Sequence, residues 1–366
     1  MKTFNKFFAL ALLALTMVQC GGDDNNSSST PAPDPTPDTG FVRAVDMSFL
    51  PAAEADGAVY KNNGVTQDAI TTLKEAGVNY IRIRLWKNPA TRHSTFNEVK
   101  TFAQRVHNAG LKVWLTVHYS DTWADPSAQQ IPAEWASLSF ADLKTAAVNY
   151  TGQILTDIKP DIIQIGNETN NGFMYPAGNL TNNEGQYLQL VNAISAKIRQ
   201  QSPTVKIMLH HAGTNGADWF FNKVANVDYD YIGLSYYPIW HGKDLAAIKS
   251  SLTSLGAAHN KKVFIAETSY PFTLGYNDYT NNVVGQSSQL VPGYAATPDG
   301  QLAFVKAIRN MVETTSGGLG FCYWGAEWTA WKGTTATDGS TWENQALWGF
   351  DNNAYPAMAA FAQTLQ

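Results

Sequence analysis

Residues 67–86 read QDAITTLKEAGVNYIRIRLW. The first ten, QDAITTLKEA, space Ala69, Ile70, Leu73 and Ala76 along one side of a helix. Gly77 then suits the left-handed position that ends a helix. Val78–Trp86 follows as a strand, with Ile81, Ile83 and Leu85 on one face and Arg82, Arg84 and Trp86 on the other. An amphipathic helix, a small or glycine turn and a short β-rich run make one unit, and the chain repeats it. The helix at 96–109 ends at Gly110, and KVWLTVHY (Lys112–Tyr119) follows.

Further strands are expected at Val42–Ser48, Ile162–Asn167, Lys206–His210, Tyr231–Tyr237, Val263–Glu267 and Gly320–Trp324, which makes eight. Helices are expected near 140–157, 184–201, 217–225, 244–258, 299–314 and 355–364. Eight such units over about 250 residues or more predict an α/β chain folded as a (β/α)8 TIM barrel. A doubly wound sheet is the alternative, but no glycine-rich phosphate fingerprint follows the first strand. In a barrel, chemistry gathers where the strands end.

The 366 residues are 44% hydrophobic and 15% charged, which excludes disorder over most of the length. A formal charge of −5 gives no electrostatic reason to bind nucleic acid. The opening MKTFNKFFALALLALTMVQC has a basic start and an apolar run, and reads as a secretory signal. Its end, VQC, resembles a bacterial lipoprotein box. Residues 1–19 are therefore expected to be a signal peptide and Cys20 the acylated residue. Residues 20–40, rich in Pro, Ser and Asp, read as a tether. The acidic residues just after Cys20 resemble surface-export signals of Bacteroidetes lipoproteins. The expected location is a lipid-anchored form at the outer-membrane surface, with 41–366 as one catalytic domain. Cys322, the other cysteine, reads as an inert core thiol.

The strand tips are polar. Strand four, IIQIGNE, puts Gln164, Gly166 and Glu168 on one face, with Asn167 beside Glu168 at the rim. Strand seven, VFIAE, is apolar until Glu267. Two carboxyls facing each other across a barrel mouth are the constellation for glycoside hydrolysis. Each glutamate pairing structurally with an arginine is the plainer reading. An inward arginine beside one carboxyl would separate their pKa values; Arg84 at the rim is the better placed, Arg82 lying one layer deeper. His210-His211 ends strand five with no third ligand at metal-binding spacing.

The segments VDMS (45–48), RIRLW (82–86) with NP (88–89), HYSDTWADP (118–126), GNE (166–168), IGLSYYPIW (232–240), AETSYPF (266–272) and WENQALWGF (342–350) resemble the endo-β-1,4-galactanase family, glycoside hydrolase family 53 of clan A. They run from about residue 41 to the end. The resemblance implies a retaining endo-hydrolase of β-1,4-galactan, the type I arabinogalactan side chains of pectin, acting as a monomer and requiring no cofactor. It implies Glu168 as general acid/base and Glu267 as nucleophile. Asn167 would bond the sugar 2-hydroxyl, and Arg84 would hold the nucleophile ionised. Tyr237, rather than Tyr236, would bond the nucleophile. His118 and Asp121 would lie at the mouth near the acid/base, and Asp46 at the floor. Trp86, Trp123, Trp324 and Trp348 are candidate stacking surfaces. Some relatives bind calcium in the loop after strand seven; here Asp278 and Asn282 are the candidate ligands. Where many relatives read YWEPAW, this chain reads Tyr323-Trp324-Gly325-Ala326-Glu327-Trp328, which puts subsite number in question. Another clan A endo-glycanase and a non-catalytic glycan-binding lipoprotein are the rival readings.

Overall fold

A computed structural model describes residues 40–365. The signal, Cys20 and nearly all of the tether lie outside the described residues. Eight parallel strands close a barrel: β1 (Val42–Asp46), β2 (Tyr80–Leu85), β3 (Lys112–Val117), β4 (Ile162–Ile165), β5 (Lys206–Ala212), β6 (Tyr231–Ser235), β7 (Lys262–Thr268) and β8 (Gly318–Tyr323). Each pairs with its sequence neighbour, and β1 pairs with β8 to shut the ring. The protein is a (β/α)8 TIM barrel, and all eight expected strands are present.

The helices that alternate with the strands pack outside: α1 (Ala69–Glu75), α2 (Phe96–Asn108), α3 (Phe140–Asp157), α4 (Glu184–Gln201), α5 (Ala217–Lys223), α6 (Leu245–His259) and α7 (Pro298–Glu313), with short helical turns at Leu50–Ala55 and Pro238–His241 besides. Asp68, Thr95, Ser139, Asp244 and Thr297 cap helix starts by accepting a free backbone N–H. Gly77 ends the 67–76 segment at φ 101°, and a Cβ there would lie 2.4 Å from the Phe361 carbonyl. The final segment is a 3-10 turn, Pro356–Phe361, rather than the expected helix. Arg309 takes the Ala360 and Ala362 carbonyls and so ties this turn to α7. Among the described residues no helix is long and apolar enough to cross a membrane.

The alternation read in β2 holds. Ile81, Ile83 and Leu85 join the core between strands and helices, while Arg82 points into the barrel. The interior is apolar at its base, where Val42, Ala44, Trp114, Ile162, Met208, Phe264, Ala266 and Cys322 pack together. Cys322 is wholly buried there. A polar layer lies above: Asp46, Arg82, Gln164, His210 and Ser235, all buried.

Two backbone irregularities aim the glutamates. The β4 ladder stops at Ile165 because Gly166 takes φ 76°; a side chain there would collide with Thr169. Glu168 is also left-handed, at φ 47°. In β7, Leu234 pairs with Ile265 but Ser235 pairs with Glu267, so one extra residue is inserted. Ala266 is in the interior cluster, and this bulge turns Glu267 inward as well.

Candidate active site

A cleft of about 650 Å³ opens at the carboxyl ends of the strands. Glu168 and Glu267 both line it, each with one carboxylate oxygen within 4.8 Å of the other. That separation matches carboxyl pairs that attack directly; a pair holding a water between them stands roughly 6.5–9.5 Å apart.

Their surroundings differ. Glu267 is buried, Arg82 meets its Oε1 at 2.8 Å, and Tyr237 donates to its Oε2 at 2.9 Å. Burial pushes the Glu267 carboxyl up, and Arg82 and the tyrosine hydroxyl pull it back. Among the described residues no cation is in contact with Glu168. Burial first and the charge of Glu267 second push it up to about 8, with the Ser235 hydroxyl opposing. Two carboxyls with separated affinities for a proton can act as acid and nucleophile at one pH.

The arginine beside the nucleophile is Arg82, not Arg84. Arg82 bridges Asp46 at 2.7 Å and Glu267 at 2.8 Å, and also donates to Asn167 Oδ1 at 2.8 Å. An arginine carries its charge several bonds beyond its Cα, so the deeper residue reaches the level of the tips. Arg84 overshoots them. It bonds Ser94, and its guanidinium carbon stands over the rings of both Trp86 and Trp123, 4.3 and 4.1 Å from their centres, in the corner that the two indoles make at 78°. Asp46 is on the floor as expected, also accepting from Ser48.

His118 lines the cleft, and its Nδ1 accepts from Trp86 Nε1 and the Ala124 N–H, both at 3.1 Å. Burial and the two arginines hold it neutral, far below its ordinary pKa. Asn167 also lines the cleft, with Nδ2 donating to the Ala124 carbonyl. Asp121 does not reach the cleft. Its two oxygens accept from the Asn88 and Ala133 N–H groups, so it braces two outer loops. Asp125, four residues on, lines the cleft instead.

The aromatic wall is partly as expected. Trp123 and Trp324 line the cleft. Trp86 stands behind Trp123, bonded to His118. Trp348 is wholly buried against Tyr60, with ring centres 4.8 Å apart. The wall is completed by Trp240, Trp328 and Trp342, which the sequence reading passed over. Trp123, Trp324, Trp342 and Trp240 succeed one another at 6.2, 4.7 and 6.2 Å. Trp240 and Trp342 lie within SYYPIW and WENQAL, so the signal was in segments already singled out.

The structure does not support the calcium expected in the loop at 273–282, although Asn282 Oδ1 is buried there without a hydrogen-bond partner. Asp278 spends both oxygens on backbone N–H groups, Thr280 at 2.6 Å and Ser340 at 3.2 Å. Asn282 donates to the Gly275 carbonyl. Calcium requires six to eight oxygens, usually with several carboxylates. Here Asp278 latches the loop after β7 to the loop after β8 by hydrogen bonds. Glu168, His210 and Glu267 converge, but both His210 ring nitrogens are already hydrogen-bonded. Glu327, in the departing YWGAEW segment, is fully buried. Its Oε1 accepts from the Phe49 N–H at 2.7 Å and its Oε2 has no partner. Burial above all pushes it up to about 8.

Residues 42–361 match the family model "Glycosyl hydrolase family 53". The chain is 33% identical over 350 residues to the arabinogalactan endo-beta-1,4-galactanase of Cellvibrio japonicus, covering 90% of this chain and 92% of that protein. It is 32% identical over 372 residues to the endo-beta-1,4-galactanase of Bacillus subtilis, covering 88% and 85%. Its fold superposes on the solved Ignisphaera aggregans GH53 catalytic domain with a TM-score of 0.84 and 34% identity, covering 89% of this chain and 96% of that one.

Proposed function

Because this chain belongs to glycosyl hydrolase family 53, we propose that its cleft hydrolyses internal β-1,4-galactosidic bonds of galactan, the type I arabinogalactan side chains of pectin, with retention of configuration. The observation that carries the reading is the carboxyl pair: two glutamates within 4.8 Å, one held by a cation and a tyrosine, the other by neither.

In the first step Glu267, ionised beside Arg82, attacks the anomeric carbon while protonated Glu168 gives its proton to the departing oxygen. The C–O bond breaks and a glycosyl-enzyme ester forms. In the second step Glu168, now ionised, takes a proton from water as the water displaces Glu267. The chemistry needs no cofactor. Asn167, through its remaining amide hydrogen, faces the 2-hydroxyl, and the tryptophan wall offers flat surfaces to the C–H patch that the axial 4-hydroxyl of galactose leaves on one sugar face.

The test is a product profile on linear galactan, with mannan and cellulose in parallel. Galactan should lose viscosity quickly and release short oligosaccharides whose first anomer is β. Faster cleavage of mannan or cellulose would move the chain to another endo-glycanase specificity. Binding without hydrolysis would make it a glycan-binding protein, and an α first product would refute retention.

The N-terminal reading extends this to a location. The VQC box supports acylation of Cys20 and anchoring of the catalytic domain at the outer-membrane surface, where polymeric galactan is accessible. Cys20→Ser should shift the protein from the membrane to the soluble fraction. An unchanged partition would overturn the anchor.

A further inference from the structure

The hydrogen bonds behind Glu168 run in one direction. The Glu168 backbone N–H, turned inward by its left-handed conformation, donates to His210 Nδ1 at 3.2 Å. A backbone donor cannot be reversed, so this ring nitrogen is an acceptor and carries no hydrogen. Burial holds His210 neutral, well below its ordinary pKa, so its single hydrogen is on Nε2. Nε2 is 2.9 Å from Ser235 Oγ and donates to it. Ser235 has one hydrogen of its own, and Glu168 Oε1 lies 2.5 Å away to receive it. The circuit starts and ends on Glu168.

We propose that His210 and Ser235 are positioning residues that sort the two oxygens of the acid/base: Oε1 is fixed as an acceptor, and the proton that is transferred resides on Oε2. Placing the proton on Oε1 would require Ser235 to turn and donate to His210 Nε2. That in turn would require a hydrogen on Nδ1, which faces two donors, the Glu168 N–H and the Gln164 amide at 2.9 Å, and one acceptor, Asn167 Oδ1 at 3.2 Å, already taken by Arg82 and Gln164. The inference rests on Glu168 acting as acid/base. In the first step the Oε2 proton goes to the glycosidic oxygen as its bond to carbon breaks. In the second step Oε2 takes the proton of the attacking water. Throughout, the Ser235 hydroxyl remains on Oε1 and favours the carboxylate that proton loss creates.

The other groups facing Glu168 are Glu267 from β7, Arg82 from β2, Asp125 from the loop after β3 and Tyr237 after β6. None of these circuits back to its own backbone. Removing the Ser235 hydroxyl should therefore leave a proton shared between two oxygens and a carboxylate with one donor fewer.

The experiment is the pH profile of Ser235→Ala on galactan, combined with Glu168→Ala in a double-mutant cycle. Ser235→Ala should lower kcat by about tenfold with little change in KM, and move the alkaline limb to higher pH. Ser235→Thr, which keeps the hydroxyl, should restore the limb. In the Glu168→Ala background the Ser235 change should have no further effect on kcat. An unmoved limb, or a Ser235 effect that persists without Glu168, would overturn the relay. If Ser235→Ala folds poorly, Ser235→Cys, similar in shape but a weaker donor, serves the same comparison. Near-native turnover of Glu168→Ala itself would instead refute the acid/base assignment.

Discussion

The tips of β4 and β7 each end in a glutamate, and almost nothing else about them is alike. At β4 two departures into left-handed backbone, at Gly166 and again at Glu168, lift Glu168 to the rim, where its carboxyl meets a serine hydroxyl and, among the described residues, no cation. At β7 an inserted residue rolls Glu267 into the barrel, onto Arg82 and Tyr237. The same side chain is thereby made a proton donor at one tip and a standing anion at the other. Role is set by what surrounds the carboxyl, and the surroundings are set by how each strand breaks its own regularity.

The comparison breaks most violently if the standing anion is removed. Glu267→Ala should lower kcat on galactan by about 10⁴-fold or more, measured by reducing-end release. Glu168→Ala should cost about 10²–10⁴-fold on galactan but much less on aryl galactosides, whose leaving groups need no proton. Equal losses on both substrates would erase the distinction between the tips.

The arginines of β2 sharpen it next. Arg82→Met leaves Asp46 and Glu267 buried without their cation, so Glu267 ionises only at higher pH. The acid limb of kcat/KM should move up and kcat fall by roughly 10²-fold. Arg84→Met should leave that limb where it is and raise KM by only a fewfold, because Arg84 touches tryptophans and not the carboxyl.

A smaller effect lies in the parent's own profile. Glu168 must be protonated to act in the first step, so kcat/KM should decline as pH rises through about 8, the value to which burial and Glu267 push it. Glu168→Ala should abolish this limb.

The smallest is a matter of stability. Glu327, raised to about 8 when folded, binds its proton more tightly in the folded than in the unfolded chain. Its contribution is therefore fully present below the unfolded pKa of about 4.3 and is lost as pH rises toward 8. Glu327→Gln should melt a few degrees above the parent at pH 8, by calorimetry, and near it at pH 4.

Much of this was legible before any coordinates. Alternation in β2 placed Ile81 and Ile83 outward and Arg82 inward, because a strand buried on both faces still separates them by period. The glutamate tips followed from motif, and Tyr237 from its parity with Ser235. The bulge at Ala266 was not legible: nothing in VFIAE distinguishes a regular strand from one with an inserted residue, since pairing to β6 and β8 determines it. The choice between Arg82 and Arg84 failed for a related reason, as Cα height is a poor guide to where a long side chain delivers its charge. Trp348 and Trp342 share one loop segment, and only tertiary packing against Tyr60 tells which of them faces inward. Asp121 was drawn off by backbone N–H groups whose approach no local pattern announces.

Arg84 has a consequence of its own. Set in the corner between two indole rings, its cation braces Trp123, which is 38% exposed on a loop. A freely hinged indole would forfeit rotational freedom each time a sugar settled on it. Braced from behind, Trp123 is already in place when the polymer arrives, so more of the stacking attraction survives as affinity.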